Sequence, residues 1–170
     1  MKLKLADEKD AQIIALLGRI TFGETFGHLF TDKNDLVSYL DQTFGVKKIK
    51  SSLAKKNNVF WLAYWEGLPV GYAKLKLDSH SPFLEGDGHC QLQKIYVLRE
   101  FISKKIGVAL QEELLKHATK LRFRQLWLSV LKSNDRAIGF YNKHGFTVSG
   151  EHTFQIGKQV FEFQLMSKGL

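Results

Sequence analysis

Apolar and polar positions follow one another along this chain in two periods, and their succession predicts the elements. Residues 2–6 read Lys-Leu-Lys-Leu-Ala, the two-residue period of a short half-buried strand. Asp7 stands where a helix cap belongs, and Ile13, Leu16, Leu17 and Ile20 recur at helical spacing. That spacing predicts a helix with those four residues on its inner face. Two Thr-Phe pairs, Thr21-Phe22 and Thr25-Phe26, flank Gly23 and predict an end or a bend there. Thr31 or Asp32 caps a second helix carrying Leu36, Tyr39 and Leu40, and Gly45 ends it. Residues 46–55 form a third helical piece, basic on its outer face.

After a turn at Asn57-Asn58 the period shortens to two. Residues 59–65 and 70–77 read as strands joined by a turn at residues 66–69. Residues 78–88, rich in Gly, Ser and Asp with Pro82, form a loop and the best candidate for a mobile lid. Leu92, Ile95, Tyr96, Val97 and Leu98 make a strand that turns through residues 99–102. A helix follows from Ser103, its expected N-cap, with Ile106, Ala109, Leu110 and Leu114 on one face. Gln125–Leu131 alternates, with Leu126, Leu128 and Val130 on one side and Trp127, Ser129 and Leu131 on the other. Ser133 is placed to cap a helix bearing Ala137, Phe140, Tyr141 and His144, with Gly145 at the C′ position. Residues 146–154 and 160–166 are two closing strands. The order is strand, helices, hairpin, strand, helix, strand, helix, hairpin, which predicts a mixed α/β sheet with helices on both faces.

The chain of 170 residues is expected to be one domain, residues 1–170, with an ordinary core. No run of about 18 apolar residues marks a membrane helix, and the first residues lack the apolar run of a signal peptide. The single cysteine, Cys90, excludes an intramolecular disulfide and fits a cytoplasmic location. The six histidines show no metal spacing, so no metal is expected. Net charge is +8, from 25 basic and 17 acidic side chains, which favours an anionic ligand. No nucleic-acid-binding signature is visible, and the charge is spread along the chain. A phosphorylated small molecule is therefore the expected ligand, and nucleic acid is disfavoured. Residues 92–110 show where it would dock: a buried strand feeds a basic loop that opens a helix. The first N–H groups of a helix lack internal partners and carry about half a positive charge. Lys104 and Lys105 add two charges there.

Residues 128–148 contain Asn134, Ala137, Phe140, Tyr141, Gly145 and Phe146 in the pattern N-x-x-A-x-x-F-Y-x-x-x-G-F. This resembles, almost position for position, a segment of the GNAT superfamily of N-acetyltransferases. Residues 92–110 resemble that family's strand, acetyl-CoA loop and helix. Thr-Phe-Gly-Glu-Thr-Phe at 21–26 and Gly-Glu-His-Thr-Phe at 150–154 resemble bacterial PaiA-type polyamine acetyltransferases. The resemblance implies about seven mostly antiparallel strands, a central parallel pair splayed for CoA, and four to five helices on both faces.

It also implies acetyl-CoA as co-substrate and direct transfer to a small amine, a polyamine first. An amino acid, an antibiotic or a protein N-terminus is the alternative acceptor, and a non-catalytic acyl-CoA sensor the alternative function. A homodimer is allowed for. Backbone groups of Ile95, Tyr96 and Val97 would hold the pantetheine arm, with the Val97 N–H as oxyanion donor. The phosphates would lie on the loop of Ile102, Ser103, Lys104, Lys105, Ile106 and Gly107, continuing to Val108. Asn134 would bond the pantetheine or order its loop, beside Ala137 and Phe140, and Lys143 would reach the 3′-phosphate. Tyr141 would be the acid that protonates the leaving thiolate. The plain alternatives are a core tyrosine, a capping asparagine and a solvated lysine.

The sequence departs from the family pattern twice. The loop keeps only its last glycine, so Lys105 is expected to have a negative φ. Gln91 and Gln93 stand where relatives often carry glutamate, which leaves Glu24, Glu85, Asp87 or water as the base, with Glu24 beside the Thr-Phe pairs. A polycation would need local acids against the +8 charge, and Asp32, Asp35, Asp41, Glu24 and Glu85 are the candidates.

Overall fold

The computed structural model describes residues 1–170. Chain order gives β1 (Lys2–Leu5), α1 (Ala11–Phe26), α2 (Lys33–Phe44) and α3 (Val46–Leu53). Next come β2 (Asn58–Trp65), β3 (Leu68–Lys76), β4 (His89–Val97) and α4 (Ile106–Lys120). The chain ends with β5 (Gln125–Leu131), α5 (Asp135–Lys143), β6 (Thr147–Ile156) and β7 (Gln159–Gly169). The seven strands form one mixed sheet in the order β1-β2-β3-β4-β5-β7-β6, as expected. Every neighbouring pair is antiparallel except the central β4–β5. No helix is long and apolar enough to cross a membrane.

The two-residue period of β2 sorts the core between the sheet's faces. Trp61 and Ala63 join Ala73 and Leu75 of β3 under α4, which supplies Ile106, Leu110, Leu114 and Ala118. Phe60 and Leu62 join Tyr72 under α1 and α3, which supply Ile14, Leu17 and Ile49. Leu110, Leu114, Leu126 and Leu128 are fully buried, each contributing about 1.5–3 kcal/mol of transfer free energy. A third cluster, with Phe22, Phe30, Phe44 and Phe161, fills the space between α1, α2 and the β6–β7 hairpin.

The structure corrects several sequence expectations. On α1 the buried face is Ala11, Ile14, Ala15, Leu17, Gly18, Thr21 and Phe22, while Leu16 and Ile20 are exposed. The apolar residues span more than one stripe, and close contact selected the small ones: a Cβ on Gly18 would run into Phe44. Gly23 does not end α1, which continues to Phe26. The α4 helix begins at Ile106, because residues Arg99–Lys104 form a 3₁₀ turn, so Ser103 is not its cap. Asn134, not Ser133, caps α5. Gly145 takes the expected left-handed C′ conformation, with φ of 82°.

The 78–88 loop is anchored and does not cover a site. The Ser79 N–H donates to the His89 carbonyl at 3.0 Å, and the Trp127 indole donates to the Ser79 carbonyl at 2.7 Å. The His80 and His89 rings stack at 5.4 Å, and Ser81 is fully buried. These contacts fix the loop at the end of the sheet where β4 and β5 are paired.

Gly71 lets β3 approach β4. A Cβ there would lie 2.6 Å from the Tyr96 carbonyl oxygen and 3.2 Å from the Val97 Cα, both backbone atoms that cannot rotate away. Gly71→Ala is expected to destabilise the fold by about 1–3 kcal/mol in urea denaturation, as overpacking does. A change below about 0.5 kcal/mol, the range of an ordinary surface substitution, would contradict this tight strand contact.

Candidate active site

The site begins where the sheet fails to close. His89, Cys90 and Gln91 of β4 face Gln125, Leu126 and Trp127 of β5, and there the parallel pairing stops. Beyond it β4 pairs only with β3, and β5 only with β7. The two facing edges therefore diverge with unpaired backbone groups between them. A bulge contributes to the divergence. Lys74 opposes Lys94 but Leu75 opposes Leu92, so Gln93 is an extra residue on β4. A bulge bends its strand and increases local twist.

The resulting cleft has a volume of about 660 Å³. Ile95, Tyr96 and Val97 line one wall and Ser129, Val130 and Leu131 the other. At one end lie Ile102, Ser103, Lys105, Gly107 and Val108, where α4 presents its free N–H groups. At the other wall α5 contributes Asn134, Ala137, Phe140 and Tyr141. The structure thus brings together most of the residues singled out in the sequence.

Three expected cofactor residues stand apart from the lining. Lys104 turns its ammonium over the Trp65 ring, 5.4 Å from its centre. Ile106 is fully buried and anchors α4 to the core. Lys143 is exposed on α5, outside the cleft. Glu24 also lies outside it. Its carboxylate accepts the Arg99 N–H at 3.0 Å, and the Arg99 guanidinium donates to its carbonyl. Glu24 therefore ties α1 to the turn that follows β4.

Lys105 has φ of 58°, left-handed and contrary to the negative value expected. The chain must reverse between the 3₁₀ turn and α4, and Lys105 is the residue that does so. Its carbonyl accepts the Ala109 N–H at 3.1 Å, the first turn of the helix. A non-glycine residue there is uncommon and costs roughly 1–2 kcal/mol. Asn134 caps α5 by accepting the Ala137 N–H at 3.2 Å, which leaves its amide NH₂ free toward the cleft. Tyr141 is 7% exposed, and burial pushes its hydroxyl well above the usual tyrosine range. It stays protonated at neutral pH.

Cys90 points away from this chemistry. It is buried, with its thiol pushed up to about 12 by burial, and it donates toward the Gln125 carbonyl at 3.6 Å. The neighbouring His89 bonds instead to the Glu85 carbonyl at 3.1 Å. No cysteine–histidine pair forms, as strand alternation predicts.

The sequence reading missed four polar lining residues. Arg136 lies exposed beside the cleft; Ser129 and His152 are linked at 2.8 Å, with His152 stacked on Phe163. Lys94 is the most consequential, and a bulge that shifts strand alternation leaves no mark on composition. Lys94 also lines a second cavity of about 880 Å³ between α2, α3 and the sheet. The two cavities meet at Tyr39, Gln93, Lys94, Phe154 and Ile156.

The Acetyltransferase (GNAT) family pattern matches residues 24–146. The chain belongs to this family of acyltransferases and is an acetyl-CoA-dependent N-acetyltransferase. It is 26% identical, over all of its length and 98% of the relative's, to an uncharacterised N-acetyltransferase in the pepI 3′ region of Lactobacillus delbrueckii subsp. lactis. It is 27% identical to a spermine/spermidine N(1)-acetyltransferase of Bacillus subtilis, covering 60% of this chain and 67% of that protein. Among solved structures, PaiA N-acetyltransferase from Thermoplasma acidophilum, in complex with coenzyme A, superposes with a TM-score of 0.78. It shares 19% identity, with both chains fully covered. Ribosomal-protein-alanine N-acetyltransferase from Brucella melitensis gives 0.72 at 20% identity, again with full coverage. These likenesses establish the fold.

Two variants separate the backbone of Lys105 from its charge. Lys105→Gly is expected to stabilise the fold by about 1 kcal/mol by relieving the left-handed strain, and Lys105→Ala to change it little. Both lose the ammonium, so calorimetry should show the same weakening of acetyl-CoA binding in each. Undiminished affinity in both would remove Lys105 from the phosphate site.

Proposed function

We propose that this protein transfers an acetyl group directly to a primary amine of a small molecule, in a ternary complex. The observation that carries this reading is the splayed β4–β5 pair, lined on one side by unpaired strand backbone and on the other by Asn134 and Tyr141. When bound, acetyl-CoA supplies an activated acetyl thioester. Its pantetheine amides match the free polar edges of β4 at Ile95, Tyr96 and Val97, and its phosphates match the α4 N-terminus beside Ser103 and Lys105. The Asn134 NH₂ adds a donor to the pantetheine. The Val97 N–H donates to oxygen as negative charge develops there.

Tyr141 holds a proton at its hydroxyl for the departing thiolate. Its raised pKa keeps that proton in place at neutral pH. The acceptor reaches the site as an ammonium, with a pKa of about 10.4, and must lose a proton first. Glu24 is engaged by Arg99 and acts in positioning the turn after β4, so water in the open chamber takes that proton. Names of relatives put a polyamine forward as acceptor. The acceptor side of this chain is lysine-rich, which opposes it.

Tyr141→Phe is expected to lower kcat by about 10²- to 10⁴-fold, the usual range for a general acid, and to leave the KM for acetyl-CoA unchanged. In the native enzyme, kcat/KM for the amine should climb with pH toward about 10 as the ammonium deprotonates. Because Tyr141 ionises above its ordinary range, no descending limb from it should appear below pH 10. Full activity in Tyr141→Phe, followed by CoA thiol release, would refute the acid role.

A further inference from the structure

The 880 Å³ chamber beside the cleft has a charge pattern that the acetyl-transfer reading does not require. Lys48 comes to it from α3, Lys55 from the turn between α3 and β2, Lys74 and Lys76 from β3, and Lys94 from β4. One carboxylate, Asp35, lines it, and this group is already engaged. Its Oδ2 accepts the Lys158 N–H at 2.9 Å, and the carboxylate seats against Gly157. The ion pairs of the chain are Lys4–Asp10, Arg19–Asp41 and Lys132–Glu151, so none of the five chamber lysines is paired.

Two of these lysines are held in unusual places. Lys74 sits on the interior strand β3 and is 9% exposed. Its Nζ donates to the Ser52 hydroxyl at 2.9 Å and lies 5.3 Å from the Phe60 ring centre. Two of its three N–H donors have no protein acceptor. The half-buried Lys94 holds its ammonium 4.9 Å from the Phe44 ring centre and 5.8 Å from that of Tyr96, with no hydrogen-bond acceptor. Burial, then the neighbouring lysines, lowers Lys74 to about 7, and burial lowers Lys94 to about 8. Uncompensated ammonium groups in a recess are costly, and an anion among them removes that cost.

The acids that would have to converge for a polycation do not. Asp32 caps α2, Asp41 pairs with Arg19, Glu24 is held by Arg99, and Glu85 is in the anchored loop. A spermidine-like acceptor would meet ammonium groups of its own sign.

We infer that the acceptor is a primary amine bearing a carboxylate or phosphate, which Lys74 and Lys94 bind in this chamber while its amine points past Tyr39 and Gln93 into the cleft. The inference rests on the acetyltransferase reading and specifies its substrate class. The ammonium gives one proton to water, and its nitrogen forms the amide N–C bond as the acetyl C–S bond breaks. The second nitrogen proton replaces the one that Tyr141 hands to the departing sulfur, so the products are the N-acetyl compound and CoA thiol.

The test measures thiol release at saturating acetyl-CoA with matched acceptors: glucosamine 6-phosphate against glucosamine, glutamate against its diamide, and spermidine. One anionic member is expected to exceed its neutral partner and spermidine by about tenfold or more in kcat/KM, the worth of one charge-assisted bond; which pair responds distinguishes phosphate from carboxylate. Lys74→Met should raise the KM for that acceptor about tenfold with acetyl-CoA binding unchanged. Should that buried variant not fold, Lys94→Met, at the half-buried partner, reads the same shift. Preference for spermidine or for the neutral partners overturns the inference and leaves the acetyltransferase reading intact. Absence of acetyl-CoA binding in calorimetry overturns the acetyltransferase reading itself. If no acceptor turns over, the CoA complex is titrated with inorganic phosphate and with glutamate. Saturable binding weakened in the lysine variants supports the inference, and no binding overturns it.

Discussion

The structure depends on one interruption: β4 and β5 hold together for three residue pairs and then separate. A sheet normally continues pairing, because unpaired backbone groups shielded from water cost free energy. Here each strand is held by its other neighbour, β4 by β3 and β5 by β7, so the divergence does not unravel the sheet. Helices α4 and α5 follow those two strands and cover the same face. Their N-terminal ends consequently flank the opening, one at Lys105 and the other capped by Asn134, while Tyr141 lines the cleft from the last turn of α5. The cleft, the helix terminus with its free N–H groups and the buried Tyr141 beside it all follow from where pairing stops.

Much of this was legible in the chain. Strand alternation in Gln125–Leu131 gave the correct limits, and the segment from Asn134 to Phe146 carried both the helix and the residues by which it lines the cleft. The face of α1 was not legible. Leu16 and Ile20 satisfy a helical period as well as Ile14 does, and the choice was made by Phe44 and Tyr72 pressing against Gly18. Tertiary packing of a small residue overrode the count of large ones. The bulge at Gln93 was equally silent, because an extra strand residue changes register without changing composition.

The loop between β4 and α4 shows how a departure from a motif is accommodated. The chain still takes the left-handed turn that glycine would make easily, and Lys105 makes it at a cost in strain. What Lys105 adds is an ammonium at the cleft, where α4 also presents free N–H groups. Lys104, adjacent in sequence, points instead at Trp65. Two neighbouring lysines that look alike in the sequence are thus separated by backbone geometry, one to the cleft and one to a tryptophan face.

The same distinction between net and local charge governs the acceptor side. A net charge of +8 describes long-range attraction and does not say which ligand a recess accepts. Lys74 and Lys94 lie opposite each other across β3 and β4, a like-charge pairing that a sheet disfavours. Their ammonium groups rest on Phe60, Phe44 and Tyr96, whose ring faces attract cations without neutralising them. Such a pair raises the free energy of the empty chamber and lowers it when a negative group arrives. The aromatic faces hold the lysines in place while leaving most of their donors free, which makes the chamber selective for charge of the opposite sign.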